Sequence, residues 1–203
     1  MTKWSDLPSK TSLETTAKNL VAHGFNVIEV ADGQSAKAKV LEILPKTAEV
    51  MTMTSLTLDQ TGIAEAISES TSFDLVKSKL MALDRATQAR EMQRLGAAPE
   101  WSIGSVHAVT EDGKVLVASA TGSQLPGYAY GSDHVIWVVG VQKIVKDLAA
   151  GMKRIEEYVL PLESERAHLA YGVPGSSINK LLIFNQEAPG RITIILVNQA
   201  LGF

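Results

Sequence analysis

The 203-residue chain contains no cysteine. Disulfides, thiolate nucleophiles and cysteine-ligated zinc or iron–sulfur sites within this chain are thereby excluded. Blocks of like charge are missing as well: 19 basic and 22 acidic residues, a net charge of −3, are interspersed along the sequence. Neither a nucleic-acid-binding tail nor a polybasic membrane patch is indicated. No apolar stretch approaches the ~20 residues of a membrane span. The polar opening "MTKWSDLPSK" lacks the apolar segment of a secretory signal. Repeats and low-complexity linkers are absent, and no compositional shift marks an internal boundary. These absences predict a cytoplasmic protein folded as one domain over residues 1–203. What is present agrees: 45% hydrophobic and 20% charged residues are ordinary for a globular chain.

The order of elements predicts the fold class. Leu13, Ala17, Leu20 and Val21 recur at helical spacing, and Gly24 is placed to end that helix in a left-handed cap. "FNVIEVA" has strand character, "GQSAKAKVLEILP" is helical up to Pro45, and "AEVMTMTS" is a second strand. "TLDQTGIAEAI" opens another helix, with Thr57 or Asp59 as its cap. Residues 73–95 continue as a helical stretch with a stripe of Leu80, Leu83, Ala86 and Ala89. Asp112-Gly113 in "SVHAVTEDGKVLVAS" marks a hairpin. "HVIWVVGV" is a strand covered on both faces. "QKIVKDLAAGMKRIEEYVL" returns to helical spacing, and "NKLLIFN" and "RITIILV" are two further strands. Alternation of this kind predicts an α/β fold, three-layer α/β/α with a mainly parallel sheet.

In open parallel sheets, ligands bind beyond the carboxyl ends of the strands. That rule selects Thr52, Thr54 and Ser55, which either contact a ligand or cap the next helix. It also selects Thr121, Gly122, Ser123 and Gln124 in "ATGSQ", whose backbone N–H groups and hydroxyls either cradle an anion or simply turn the chain. The phosphate-loop signature is absent. Gly140 ends the apolar strand, and Gln142 and Lys143 follow at an expected helix N-terminus, where an anion is favoured and a lysine is not; Lys143 is either a ligand contact or a plain surface lysine. Glu163 and Arg166, at i, i+3, form either a solvated pair or part of a site. Lys180, Glu187 and Arg191, the only charges in the last 32 residues, are either strand-end gatekeepers or functional; Arg191 follows Pro-Gly at a strand start, which favours the gatekeeper. His23, His107, His134 and His168 have no metal-ligand spacing, and each is read as structural before it is read as a proton carrier.

The stretches "VMTMTSLTLDQTGI", "ASATGSQLP", "VIWVVGVQKIVKDL", "LPLESERA" and "PGRITIILV" together resemble the LUD domain family, named for lactate-utilisation proteins B and C. The resemblance runs from the first helix to "LVNQALGF". It implies the fold shared by glucosamine-phosphate deaminases, ribose-phosphate isomerases and CoA transferases. It also implies a part in oxidising L-lactate, or a related 2-hydroxy acid, to pyruvate beside iron–sulfur proteins. Lacking cysteine, this chain looks like the small C-type component or a stand-alone relative. Where C-type members carry Thr-Gly-Thr, the comparable place reads "TEDGKVLV", with Asp112 and Lys114. The resemblance adds weight to "ATGSQ" and to Glu163–Arg166 as site residues.

The expected partners are therefore a small anionic ligand and an iron–sulfur or flavin protein, with self-association a further option. No cofactor is expected in this chain, and no nucleic acid or membrane as partner. Two other functional classes stand beside this one. One is an independent enzyme on the same fold acting on a phosphosugar or acyl-CoA, for which Glu163 or Glu187 could only be nominated as nucleophile. The other is a ligand-binding protein without chemistry.

Overall fold

The computed structural model describes residues 4–203. The chain opens with α1 (Lys10–Ala22), capped by Ser9, whose hydroxyl accepts the Ser12 N–H at 3.1 Å. Leu20 is buried, and Leu13 and Ala17 pack against the core beside it. Val21, expected on the same stripe, faces solvent instead, because the helix meets the sheet along a narrow seam. Gly24 adopts φ +89° as its capping role requires. β1 (Asn26–Val30) and α2 (Gly33–Ile43) follow, with the Asp32 carboxylate accepting the Ser35 N–H at 2.8 Å.

After β2 (Glu49–Thr52) the expected single helix divides into α3 (Leu56–Gln60) and α4 (Ile63–Ser68). Gly62, at φ +66°, breaks it. The continuous helix expected over 73–95 does not form. That region holds the two-residue strand β3 (Asp74–Leu75), α5 (Val76–Met81), an irregular segment and α6 (Ala89–Ala97). Its apolar stripe has little to pack on: Leu80 and Leu83 are half-buried, and Ala86 and Ala89 are exposed.

β4 (Trp101–Gly104), not anticipated from sequence, leads into the hairpin β5 (Ala108–Thr110) and β6 (Val115–Ser119). Asp112-Gly113 makes the turn, with Gly113 at φ +83° and Asp112 paired with Lys114. A π-helical turn (Gly127–Gly131) precedes β7 (His134–Gly140). Val141–Lys143 is a single 3₁₀ turn, followed by β8 (Ile144–Val145) and α7 (Leu148–Arg154). A second π-helical turn (Ile155–Val159) joins α7 to α8 (Leu160–Tyr171), and β9 (Lys180–Phe184) and β10 (Ile192–Val197) complete the chain.

Six strands form one parallel sheet in the order β1-β10-β7-β4-β2-β3. Strict alternation along β7 covers both of its faces. Val135, Trp137 and Val139 enter the core shared with α1, while Ile136 and Val138 enter the core beneath α2, α3 and α4. The arrangement is three-layer α/β/α, as the sequence predicts, with one addition. A small mixed sheet, β8-β5-β6-β9, shares the α1 side of the large sheet, and its outer face is covered by α7 and the π turn after it. The two sheets meet around Trp137, whose ring is edge-on to Tyr128 at 5.4 Å and to Phe184 at 5.0 Å.

Candidate functional site

Because all six strands of the large sheet run the same way, their carboxyl ends share one edge. Residues 53–55, 105–107, 141–143 and 198–203 follow the ends of β2, β4, β7 and β10 there. Lys143 occupies the middle of this edge. It is 2% exposed, and its Nζ donates to Thr57 Oγ1 at 3.0 Å, Ser105 Oγ at 3.1 Å and the Val106 carbonyl at 3.1 Å. No carboxylate pairs with it among the described residues. Burial, with the nearby Arg154 charge adding to it, pushes the amine down to about 7.

Two groups stand beside Lys143, one a second cation and one a neutral ring. Arg154, fully buried at the end of α7, donates through Nη1 to the His107 carbonyl at 2.5 Å. Burial brings its guanidinium down to about 10, against the opposing influence of Tyr158. His107 is half-buried in densely packed surroundings. Burial first, then the charges of Lys143 and Arg154, push it down to about 3. Its Nδ1 lies 3.1 Å from the Ala118 N–H, so Nδ1 accepts and the neutral ring carries its proton on Nε2.

Backbone seals the edge. Gln142 donates to the carbonyls of Leu201 at 2.8 Å and Gly202 at 3.3 Å, and the Gly202 N–H donates to Gln60 Oε1 at 2.7 Å. A Cβ on Gly202 would lie 2.4 Å from Thr57 Oγ1, and one on Gly140 would lie 2.2 Å from Gln142 Oε1. Both glycines are therefore required by close approach. Tyr128, its phenol pushed up by burial, lies against the end of β4, where Gly104 leaves it room.

The structure distributes the sequence-selected residues unevenly. Gly140, Gln142 and Lys143 stand together, although Lys143 is on a 3₁₀ turn leading into β8 and not at an α-helix N-terminus. The helical spacing that suggested otherwise begins only at Leu148. Thr52 is buried inside β2, and Ser55 caps α3 without using its hydroxyl. Thr54 and Ser55 lie on the same edge as Lys143, exposed and half-buried respectively.

Thr121–Gln124 extends from the small sheet. Gly122 turns at φ +86° and donates to Ser119 Oγ at 2.8 Å, Thr121 faces Ser123, and Gln124 bonds back to Ser119 and Ala118. Its polar groups serve the turn itself, and none bonds to Lys143. Glu163 and Arg166 form a two-pronged ion pair on α8, both contacts at 2.7 Å, which holds the guanidinium above its usual range. Arg191 lies before the opposite end of β10, bonded to Glu187 and to the carbonyls of Gly127, Tyr128 and Ser132. It clamps the π turn over Gly127–Gly131.

Sequence reasoning missed Ser105, His107 and Arg154 as neighbours of Lys143, and took Thr57 only as a cap. One signal was available: Gly151, Arg154, Ile155 and Val159 share the buried face of their helical stretch, so the spacing put an arginine on it.

The sequence profile of the LUD domain matches residues 13–197, nearly the whole chain. The chain belongs to the LUD domain family. At that level it is a lactate-utilisation-related protein, and the match spans every strand of this LUD domain. Its fold is similar to the crystal structure of a DUF162 family protein from Deinococcus radiodurans, with a TM-score of 0.59 and 11% identity. That similarity covers 95% of this chain and 100% of the other. At such identity the likeness concerns the fold alone. No curated protein matches the chain.

Proposed function

We propose that this LUD domain is an accessory component in the oxidation of L-lactate, or a related 2-hydroxy acid, to pyruvate. It binds the small acid at the carboxyl edge of the six-stranded sheet. An iron–sulfur or flavin partner in the cytoplasm takes the two electrons. The observation that carries this reading is the buried Lys143 amine, held by three neutral oxygens directly behind a half-buried hydroxyl. Ser105 Oγ accepts from Lys143, so its own O–H remains as a donor, and no acceptor for it occurs among the described residues. An oxygen of the ligand that takes this hydrogen bond is one atom removed from the ammonium. Little water lies between them to screen the attraction. Thr54 and Ser55 extend the polar rim on the neighbouring strand end.

A separate cavity of about 220 Å³ at the ends of β1 and β10 fits an anion less well, because Glu29 lines it. The deciding experiment is calorimetric titration of the purified protein with L-lactate, pyruvate, a phosphosugar and an acyl-CoA. The two small acids should bind, and Lys143→Met should abolish that binding. Selective binding of the phosphosugar or acyl-CoA would move the protein to the independent-enzyme class and sink the lactate reading.

A further inference from the structure

Two cations at this edge are buried with no acid to balance them among the described residues, and they differ in how their donors are met. Lys143 places its three N–H groups on three protein oxygens. Arg154, at 0% exposure, uses Nη1 on the His107 carbonyl, while Nε and Nη2 have no hydrogen-bond partner among the described residues. A guanidinium does not shed its proton at ordinary pH, and leaving buried donors unmet is costly.

Nε and Nη2 form one edge of the guanidinium, the edge that matches the two oxygens of a carboxylate. Arg166 shows that use within the same protein: its Nε and Nη2 meet the two oxygens of Glu163, each at 2.7 Å. On Arg154 the same edge has no such acid. Tyr158 lies over the guanidinium, 5.3 Å from ring centroid to Cζ, so a ligand meets Arg154 in the guanidinium plane. The π-helical turn that begins directly after Arg154 is an irregularity found frequently at functional positions.

We propose that the Nε/Nη2 edge of Arg154 receives the carboxylate of a 2-hydroxy or 2-oxo acid, leaving the acid's 2-oxygen for the Ser105 hydroxyl in front of Lys143. Lys143, in its protonated form, is the second positive charge of the site, and His107 Nε2–H an adjacent donor. The inference rests on the function proposed above and adds the group that selects a planar, two-oxygen head. Arg154 is thus a specificity residue for carboxylate over a simple halide.

The test uses L-lactate, pyruvate and chloride as probes on wild type, Arg154→Lys and Arg154→Met. Arg154→Lys keeps the charge and removes the fork; it should weaken both acids on the order of tenfold or more. Arg154→Met should abolish binding while the ligand-free melting temperature holds or rises, since an unpaired buried charge has gone. In wild type, the Arg154 Nε–Hε resonance should shift on adding either acid and stay in place with chloride. That measurement decides the matter even if a variant fails to fold. Wild-type affinity in both Arg154 variants, or an unmoved resonance at saturation, overturns the proposal. If that happens while Lys143→Met still loses binding, the proposed function stands without Arg154. If wild type binds neither acid, both fall.

Discussion

His107 and Lys143 hold fewer protons in the folded protein than in the unfolded chain, each in its own pH window. His107 is neutral when folded down to about pH 3, whereas its ordinary value is 6.5. Between those values the unfolded chain takes up a proton that the folded protein excludes, so stability falls as pH falls through the window. The slope is at most about 1.4 kcal/mol per pH unit. Lys143 acts in the window between about 7 and 10.5, where the unfolded chain is again the more protonated, so stability there rises with pH. Carboxylates held low by hydrogen bonds, Asp112 among them, also lose stability in acid, so His107 must be isolated by difference. His107→Asn retains an acceptor for the Ala118 N–H and cannot be protonated. Its urea midpoint should fall less than that of wild type between pH 6.5 and about pH 4. Parallel profiles would show that the ring titrates normally and that Lys143 and Arg154 do not act on it.

Among the elements, β7 and the segment after β10 are held in register by Gly140. A Cβ there would lie 2.7 Å from the Leu201 backbone nitrogen as well as against Gln142, and backbone cannot swing aside. Gly140→Ala should therefore destabilise by about 1–3 kcal/mol, and should open residues 199–203 to limited proteolysis. Denaturation indistinguishable from wild type would mean that the tail does not close over Lys143. At Gly122 the demand is different: a Cβ there would meet the flexible Lys180 side chain, and it is the φ of +86° that favours glycine. Elements were legible in the sequence where the apolar pattern and the turn chemistry agreed, as in β7, β10 and the Asp112-Gly113 hairpin. They were misjudged where helical spacing carried no burial with it, as over 73–95. They were misjudged again over 144–145, where two apolar residues join the small sheet through β5. Two residues are too few to show a strand period.

At the scale of the whole molecule, stability should be distributed as burial is. Residues 192–197 and 135–140 are buried without interruption at the centre of the large sheet, whereas α6 buries no residue. Amide exchange in β7 and β10 should require global unfolding, and amides in 76–97 should exchange through local opening at far lower cost. Equal protection of the two regions would contradict this distribution. The chain's own order of residues determined the layers. Alternation in β7 commits it to two cores, the α/β succession commits the sheet to parallel pairing, and the missing cysteines exclude thiolate chemistry in this chain. Which charges would meet was decided only by the tertiary structure. Thr57, Ser105 and the Lys143–Arg154 stretch lie far apart in sequence and belong to different elements and the turns between them. They converge because parallel strands end on one edge and the small sheet folds back across it. Periodicity reports which face of an element is buried, but carries no record of which faces are buried together. The unpaired edge of Arg154 therefore became visible only once its neighbours were in place.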